Sequence, residues 1–168
     1  YGSDKPDLRI DLTCKNLSDL FTESEFEPFK GQTVKAVPIS NCHLTRKQIE
    51  KLLTDCEVQA GTKGYWFKMD ENGELAGGVA KFLADRKDAV VEKLNLKPGC
   101  LVCVAAGAKG EAQKTAGVMR KMLGAAVPGH MDKERYEFCW IVDFPMYEIG
   151  EESGCLLYTS PSPRDGAT

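Results

Sequence analysis

Three places in the chain carry residue types that could do chemistry. Cys100-Leu-Val-Cys103 has the spacing of half a zinc site or of a redox pair. It lies in an apolar, strand-like run that ends at Ala106, where residues three apart point to opposite faces, so one sulfur faces away from the other. No second pair stands at ligand spacing, and the only histidines, His43 and His130, are distant in sequence. These two cysteines therefore read as buried, inert thiols. The run Ala106-Gly-Ala-Lys-Gly-Glu-Ala-Gln-Lys-Thr115 has the look of a phosphate loop, but such a loop needs a glycine directly before the lysine and another at its head, so that backbone amides wrap the phosphates. Those positions hold Gln113 and Ala108, and a plain strand-to-helix connection is expected. Asp143 is the one carboxylate set in an apolar run, and its plain reading is an acid held by backbone amides at a sheet end. With no Gly-x-Ser-x-Gly elbow and only two histidines, the residues compose no complete catalytic constellation and no metal site.

The elements that must position these residues follow from patterning. A chain of 168 residues, 42% hydrophobic and 28% charged, can bury one sizeable core. Its net charge of −3 gives no strong field for nucleic acid, although a local basic face remains compatible with it. No apolar run approaches the roughly 18 to 20 residues of a membrane helix, and no secretory leader opens the chain. Seven cysteines, an odd number without regular spacing, read as reduced thiols rather than a disulfide framework. The expectation is a soluble, cytoplasmic protein with no membrane partner.

Leu44-Thr-Arg-Lys-Gln-Ile49 predicts a helix start, with Thr45 and Gln48 forming a capping box and Leu44 and Ile49 a hydrophobic staple. Ile49, Leu52, Leu53 and Cys56 give that helix one apolar face, and Gly61 follows its end. Tyr65 to Met69 reads as a strand closed by Glu71-Asn-Gly73, Val79 to Leu94 as one helix with Phe82 on its buried side, and Lys97-Pro-Gly-Cys100 as a type II turn. A further helix is expected from Glu111 to Val127, burying Ala112, Ala116, Met119, Leu123 and Ala126, with Gly117 and Gly124 costing it roughly 1 kcal/mol each. Tyr136 to Phe144 is apolar on both faces and predicts a central strand, limited by Pro145. With a weaker strand over 32–39 and a short helix near 17–22, the fold class is α+β, two layers with helices covering one face of a mainly antiparallel sheet. A parallel α/β arrangement is the alternative.

Tyr1-Gly-Ser-Asp-Lys-Pro-Asp-Leu-Arg9 and Trp140-Ile-Val-Asp-Phe-Pro-Met-Tyr-Glu148 together resemble bacterial aspartyl-tRNA synthetases, and Leu44-Thr-Arg-Lys-Gln-Ile49 and Val79-Ala-Lys-Phe-Leu83 look like landmarks of that family's large insertion. The resemblance covers about residues 1 to 152. It implies a parent enzyme of class II synthetase fold that activates L-aspartate with ATP and Mg2+ and transfers it to tRNA. The implied organisation is a catalytic-domain segment at 1–12, a GAD-type insertion domain at 13–134, shared with certain amidotransferase subunits, and a catalytic-domain strand at 135–154. In the family, the anticodon-binding barrel, the motif that makes the homodimer, the arginine motifs that clamp ATP and the aspartate-recognising residues lie outside this stretch. No catalytic, cofactor-binding or metal residue is therefore carried over, and the isolated chain is expected to be inactive, with weak or no tRNA binding. Ser3, Asp4, Lys5, Asp7 and Arg9 fall where the catalytic domain hands over to the insertion. They are the candidates for contact with the active-site rim or tRNA, against a structural turn built around Pro6.

Cys155-Leu-Leu-Tyr-Thr-Ser-Pro-Ser-Pro-Arg-Asp165 is similar to the in-frame translation of a transposon-type sequencing adapter. Residues 155–168 are accordingly expected to be disordered and outside the fold. With Tyr1 in place of Met, this makes the expectation an internal fragment. The competing expectation is a stand-alone α+β binding module that contacts tRNA.

Overall fold

In the computed structural model the described residues are 1–140, 142, 147–149 and 154–158, and the chain divides into two units, Tyr1–Glu137 and Phe138–Thr168. The first unit runs β1 (Lys15–Asn16), a 3-10 turn (Ser18–Leu20), β2 (Thr33–Ile39), α1 (Arg46–Ala60), β3 (Gly64–Met69), β4 (Leu75–Ala76), a 3-10 segment (Ala80–Arg86), α2 (Lys87–Leu94), β5 (Leu101–Gly107) and α3 (Lys109–Ala126). Its sheet has the order β1-β2-β5-β3-β4 with every pair antiparallel. This is the α+β class, and the parallel alternative falls.

The central strand is β5. It pairs with β2 from Thr33↔Gly107 to Ile39↔Leu101 and with β3 from Gly64↔Ala105 to Lys68↔Leu101. Leu101, Cys103 and Ala105 face one core with Val37, Ile39 and Trp66, under α1 and α3. Val102, Val104 and Ala106 face a second core with Val34, Ala36, Phe67 and Met69, closed by Phe21, Phe29, Leu83, Val90 and Leu94. Helical cover thus extends to the second face, through the 3-10 segment and α2. An all-apolar run buried on both sides is what β5 requires, and Cys100 and Cys103 fall in opposite cores as expected.

Local chemistry sets the ends of α1. Thr45 Oγ1 accepts from the Gln48 amide at 3.4 Å, Gln48 Oε1 accepts from the Thr45 amide at 2.8 Å, and Gly61 closes the helix at φ +80 with its N–H donating to Glu57 O. The turn after β3 is organised by Asp70, whose Oδ1 accepts from the Asn72 and Glu74 amides at 2.9 and 2.8 Å. Gly99 at φ +80 and the Cys100 N–H to Lys97 O bond make the expected turn into β5.

Four expectations change. The helix expected over Val79–Leu94 is a 3-10 segment followed by α2: the buried residues Ala80 and Leu83 are three apart in the first and Val90 and Leu94 four apart in the second. Neither start has a side-chain cap, and the Val79 N–H is held by Trp66 O. Phe82, expected to be buried, is 36% exposed and stacks on Phe26. On α3, Ala126 is exposed, and Thr115, Arg120 and Gly124 join the expected buried face. The fourth change concerns the strand expected over Tyr136–Phe144: Tyr136–Trp140 is irregular, with Phe138 98% and Trp140 94% exposed. A strand persists only when its amides and carbonyls find a neighbour, and the centre of the sheet is already filled by β5. Ile141 and 143–146, including Asp143 and Pro145, lie outside the described residues.

In the second unit, β6 (Tyr147–Ile149) pairs antiparallel with β7 (Leu156–Tyr158). The expected disorder over 155–168 therefore does not hold for Leu156–Tyr158, and 159–168 lie outside the described residues. Among the described residues no helix is long and apolar enough to cross a membrane.

Candidate functional site

The string that opens the chain packs against α3, and the reason lies in the small residues of that helix. Gly117 has no room for a Cβ, which would stand 2.5 Å from Gly2 O, and a Cβ on Gly124 would stand 2.5 Å from Ile10 Cγ2. The two glycines that lower helix propensity are the points where the chain crosses the helix. Ile10 is buried and bridges Met131, the Asp11 N–H donates to His130 O, and the Asp132 N–H donates to Arg9 O. The His130 ring is held between Asp11 Oδ1 at 2.8 Å and Ser40 O at 2.9 Å. Residues 1–12, given to the catalytic domain by resemblance, thus pack within the same unit as 13–134.

Arg120 fastens this segment. It is 2% exposed, its Nε donates to Leu12 O at 2.5 Å, and its Nη2 donates to Asp7 O at 2.9 Å and Ile10 O at 2.6 Å. Its Cζ lies 4.7 Å from the centre of the Tyr1 ring. The sequence carries a signal for it: Arg120 stands four after Ala116 and three before Leu123, a charge at a core position of an amphipathic helix.

Of the candidate residues, Ser3 Oγ accepts from the Lys5 amide at 3.0 Å, and Asp7 and Arg9 form a two-pronged ion pair, Nε to Oδ1 at 2.9 Å and Nη2 to Oδ2 at 2.8 Å. The Arg9 side-chain hydrogen bonds hold the Asp7 carboxyl down to about 2; burial opposes them, while the Arg9 amide and the charges of Arg9 and Arg120 reinforce them. Ser3, Asp4, Lys5 and Asp7 come together with Lys114, Arg120 and Lys121 around a cleft of about 350 Å³. Arg9 does not line it.

The other places with possible chemistry are quieter. Among the described residues no cluster of His, Cys, Asp and Glu could hold a metal ion. Burial pushes the thiols of Cys56 and Cys103 up, Cys56 to about 11, which fits inert cysteines. Ala106–Thr115 is a direct link from β5 into α3, with Glu111 in the first helical turn. Two sequence landmarks, around Arg46 and Lys81, meet at a cleft of about 520 Å³, where Lys87 is paired with Glu74.

Residues 26–116 match the family model of the GAD domain. The chain belongs to the GAD domain family. The match falls inside the 13–134 expected for such a domain, and it takes in both sequence landmarks, α1, α2, and β2 to β5. Over 161 residues, 95% of the chain, it is 41% identical to an aspartate–tRNA ligase of Streptomyces coelicolor. It is 40% identical over 92% of its length to an aspartate–tRNA ligase of Streptococcus suis, and 36% identical over 91% to an aspartate–tRNA(Asp/Asn) ligase of a Wolbachia from Culex pipiens. The chain spans only 27% of the length of each of these relatives.

Proposed function

We propose that the chain is the insertion segment of an aspartate–tRNA ligase. The parent enzyme activates L-aspartate with ATP and Mg2+ and transfers it to tRNA. One observation carries this reading: the likeness to aspartate–tRNA ligases covers 95% of the chain and so runs well past residues 26–116 on both sides. A stand-alone binding module would need to resemble them only across the GAD domain. The nearly complete exposure of Phe138 and Trp140 supports the same reading, since an apolar alternating segment of this kind suits a strand of a sheet built by the rest of the parent.

In this reading Ser3, Asp4, Lys5, Asp7 and Arg9 lie at the handover between catalytic domain and insertion and contact the active-site rim or the tRNA. The parent works in the cytoplasm as a homodimer joined through regions other than this one. The chain by itself catalyses neither step, because the groups that clamp ATP belong to those other regions, and it holds tRNA weakly. ATP–pyrophosphate exchange with L-aspartate, measured on the purified chain, is expected to stay at background. Extending the gene on both sides is expected to reveal an arginine motif upstream and a Gly-Leu-Asp-Arg-type motif downstream. Exchange activity from the chain alone, or flanks without those motifs, would overturn the proposal.

A further inference from the structure

Arg120 is a buried cation whose neighbours are carbonyl oxygens and an aromatic ring, and among the described residues no carboxylate forms an ion pair with it. Leaving a charge out of water without a counter-charge is costly. The nearby Asp7 carboxylate only partly answers it, since both Asp7 oxygens are taken by Arg9. Nε and Nη2 are fully engaged, whereas Nη1 carries no hydrogen bond, and Arg120 lines the cleft of about 350 Å³ between the opening segment and α3. Three more cations surround that cleft: Lys5, Lys114 and Lys121, all exposed and none in an ion pair among the described residues. Lys114 and Lys121 stand seven apart on α3, two turns of one face. Against four cations the lining offers only Asp4 and the already paired Asp7.

We infer that this cleft binds a phosphate group, with Arg120 as its floor and Lys5, Lys114 and Lys121 as its walls. The Arg120 Nη1 group and three exposed ammonium donors suit the oxygens of a phosphate, and the excess of positive charge is what such a ligand would neutralise. The inference goes beyond the ligase reading and does not require it, so either can fail alone.

The test is a titration of the isotopically labelled chain with sodium phosphate at constant ionic strength, followed by the amide signals of Gly2 and Gly117 and the Nε–H of Arg120. Saturable shifts at these groups are expected. The double variant Lys114→Ala/Lys121→Ala, both positions exposed, should weaken binding by about fivefold or more, and Asp4→Asn should tighten it. Lys81→Ala, in the lining of the other cleft and not of this one, should leave binding unchanged. Parallel arms with a short RNA and with inorganic phosphate separate the sources: stronger binding of RNA through the same signals assigns a phosphodiester, and binding of inorganic phosphate alone assigns the free ion. Shifts that chloride reproduces at the same ionic strength, or that survive in the double lysine variant, would overturn the inference.

Discussion

Gly124→Ala tests the docking of the opening segment on α3, because the helix and the docked chain pull the result in opposite directions. Within an isolated helix the change should stabilise by about 1 kcal/mol. In the folded protein the new methyl would stand 2.5 Å from Ile10 Cγ2, 3.0 Å from Cγ1 and 3.1 Å from Cδ1. Ile10 is 2% exposed and β-branched, so its side chain has no free rotamer into which to retreat. Overpacking of this kind costs about 1 to 3 kcal/mol, which at least cancels the propensity gain and leaves a net loss of up to about 2 kcal/mol. Gly110 on the same helix supplies the control, since a Cβ there meets nothing within 4 Å and Gly110→Ala should stabilise by up to about 1 kcal/mol. Urea unfolding followed by far-UV circular dichroism reads both, and with a slope of about 2 kcal/mol per molar a loss of 1 kcal/mol lowers the midpoint by about 0.5 M. A midpoint raised as much by Gly124→Ala as by Gly110→Ala would refute the docking of Ile10 on this helix.

Thr45→Ala should cost about 1 kcal/mol by removing the acceptor for the Gln48 amide, and Thr45→Ser should cost little; the same urea unfolding decides. Carbon-detected titration of the Asp7 carboxyl should give a midpoint near 2, moving up towards the ordinary 3.8 in Arg9→Gln. Because the folded value is depressed, the stabilisation from this pair is complete above about pH 4 and is lost as pH falls through about 2. A titration that does not move in Arg9→Gln would remove Arg9 as the cause. A thiol reagent at pH 8 should modify exposed Cys139 at once and reach Cys56 and Cys103 only on unfolding, as mass mapping of the labelled sites would show.

What the sequence made legible was whatever chemistry is local. The start of α1 depends on Thr45, Gln48, Leu44 and Ile49, all within one turn, and the separation of Cys100 from Cys103 follows from strand geometry alone. Elsewhere the outcome depended on partners far along the chain. The 3-10 segment at Ala80–Arg86 begins where Val79 is pinned to Trp66 and where Gly78 lies against the Trp66 carbonyl, contacts that no helical period encodes. The alternation over Tyr136–Trp140 tells which side chains would share a face but not whether a neighbouring strand exists, and the sheet had already closed around β5. The opening string was recognisable through its resemblance to the ligase family. The burial of Arg120 was legible from its place on the helix, but its partners were not, because it reaches carbonyls of Asp7, Ile10 and Leu12, more than a hundred residues earlier.

If this chain is the insertion segment of an aspartate–tRNA ligase, as we propose, it should work in place of a relative's own segment. Residues 1–152 would replace the matching segment of the Streptomyces coelicolor aspartate–tRNA ligase, and aminoacylation of tRNA with L-aspartate would be measured. A folded chimera is expected, with kcat/KM within about tenfold of the unaltered ligase, a change of no more than about 1.4 kcal/mol in the barrier. A chimera that folds and assembles as the unaltered ligase does, yet charges no tRNA, would contradict the proposal.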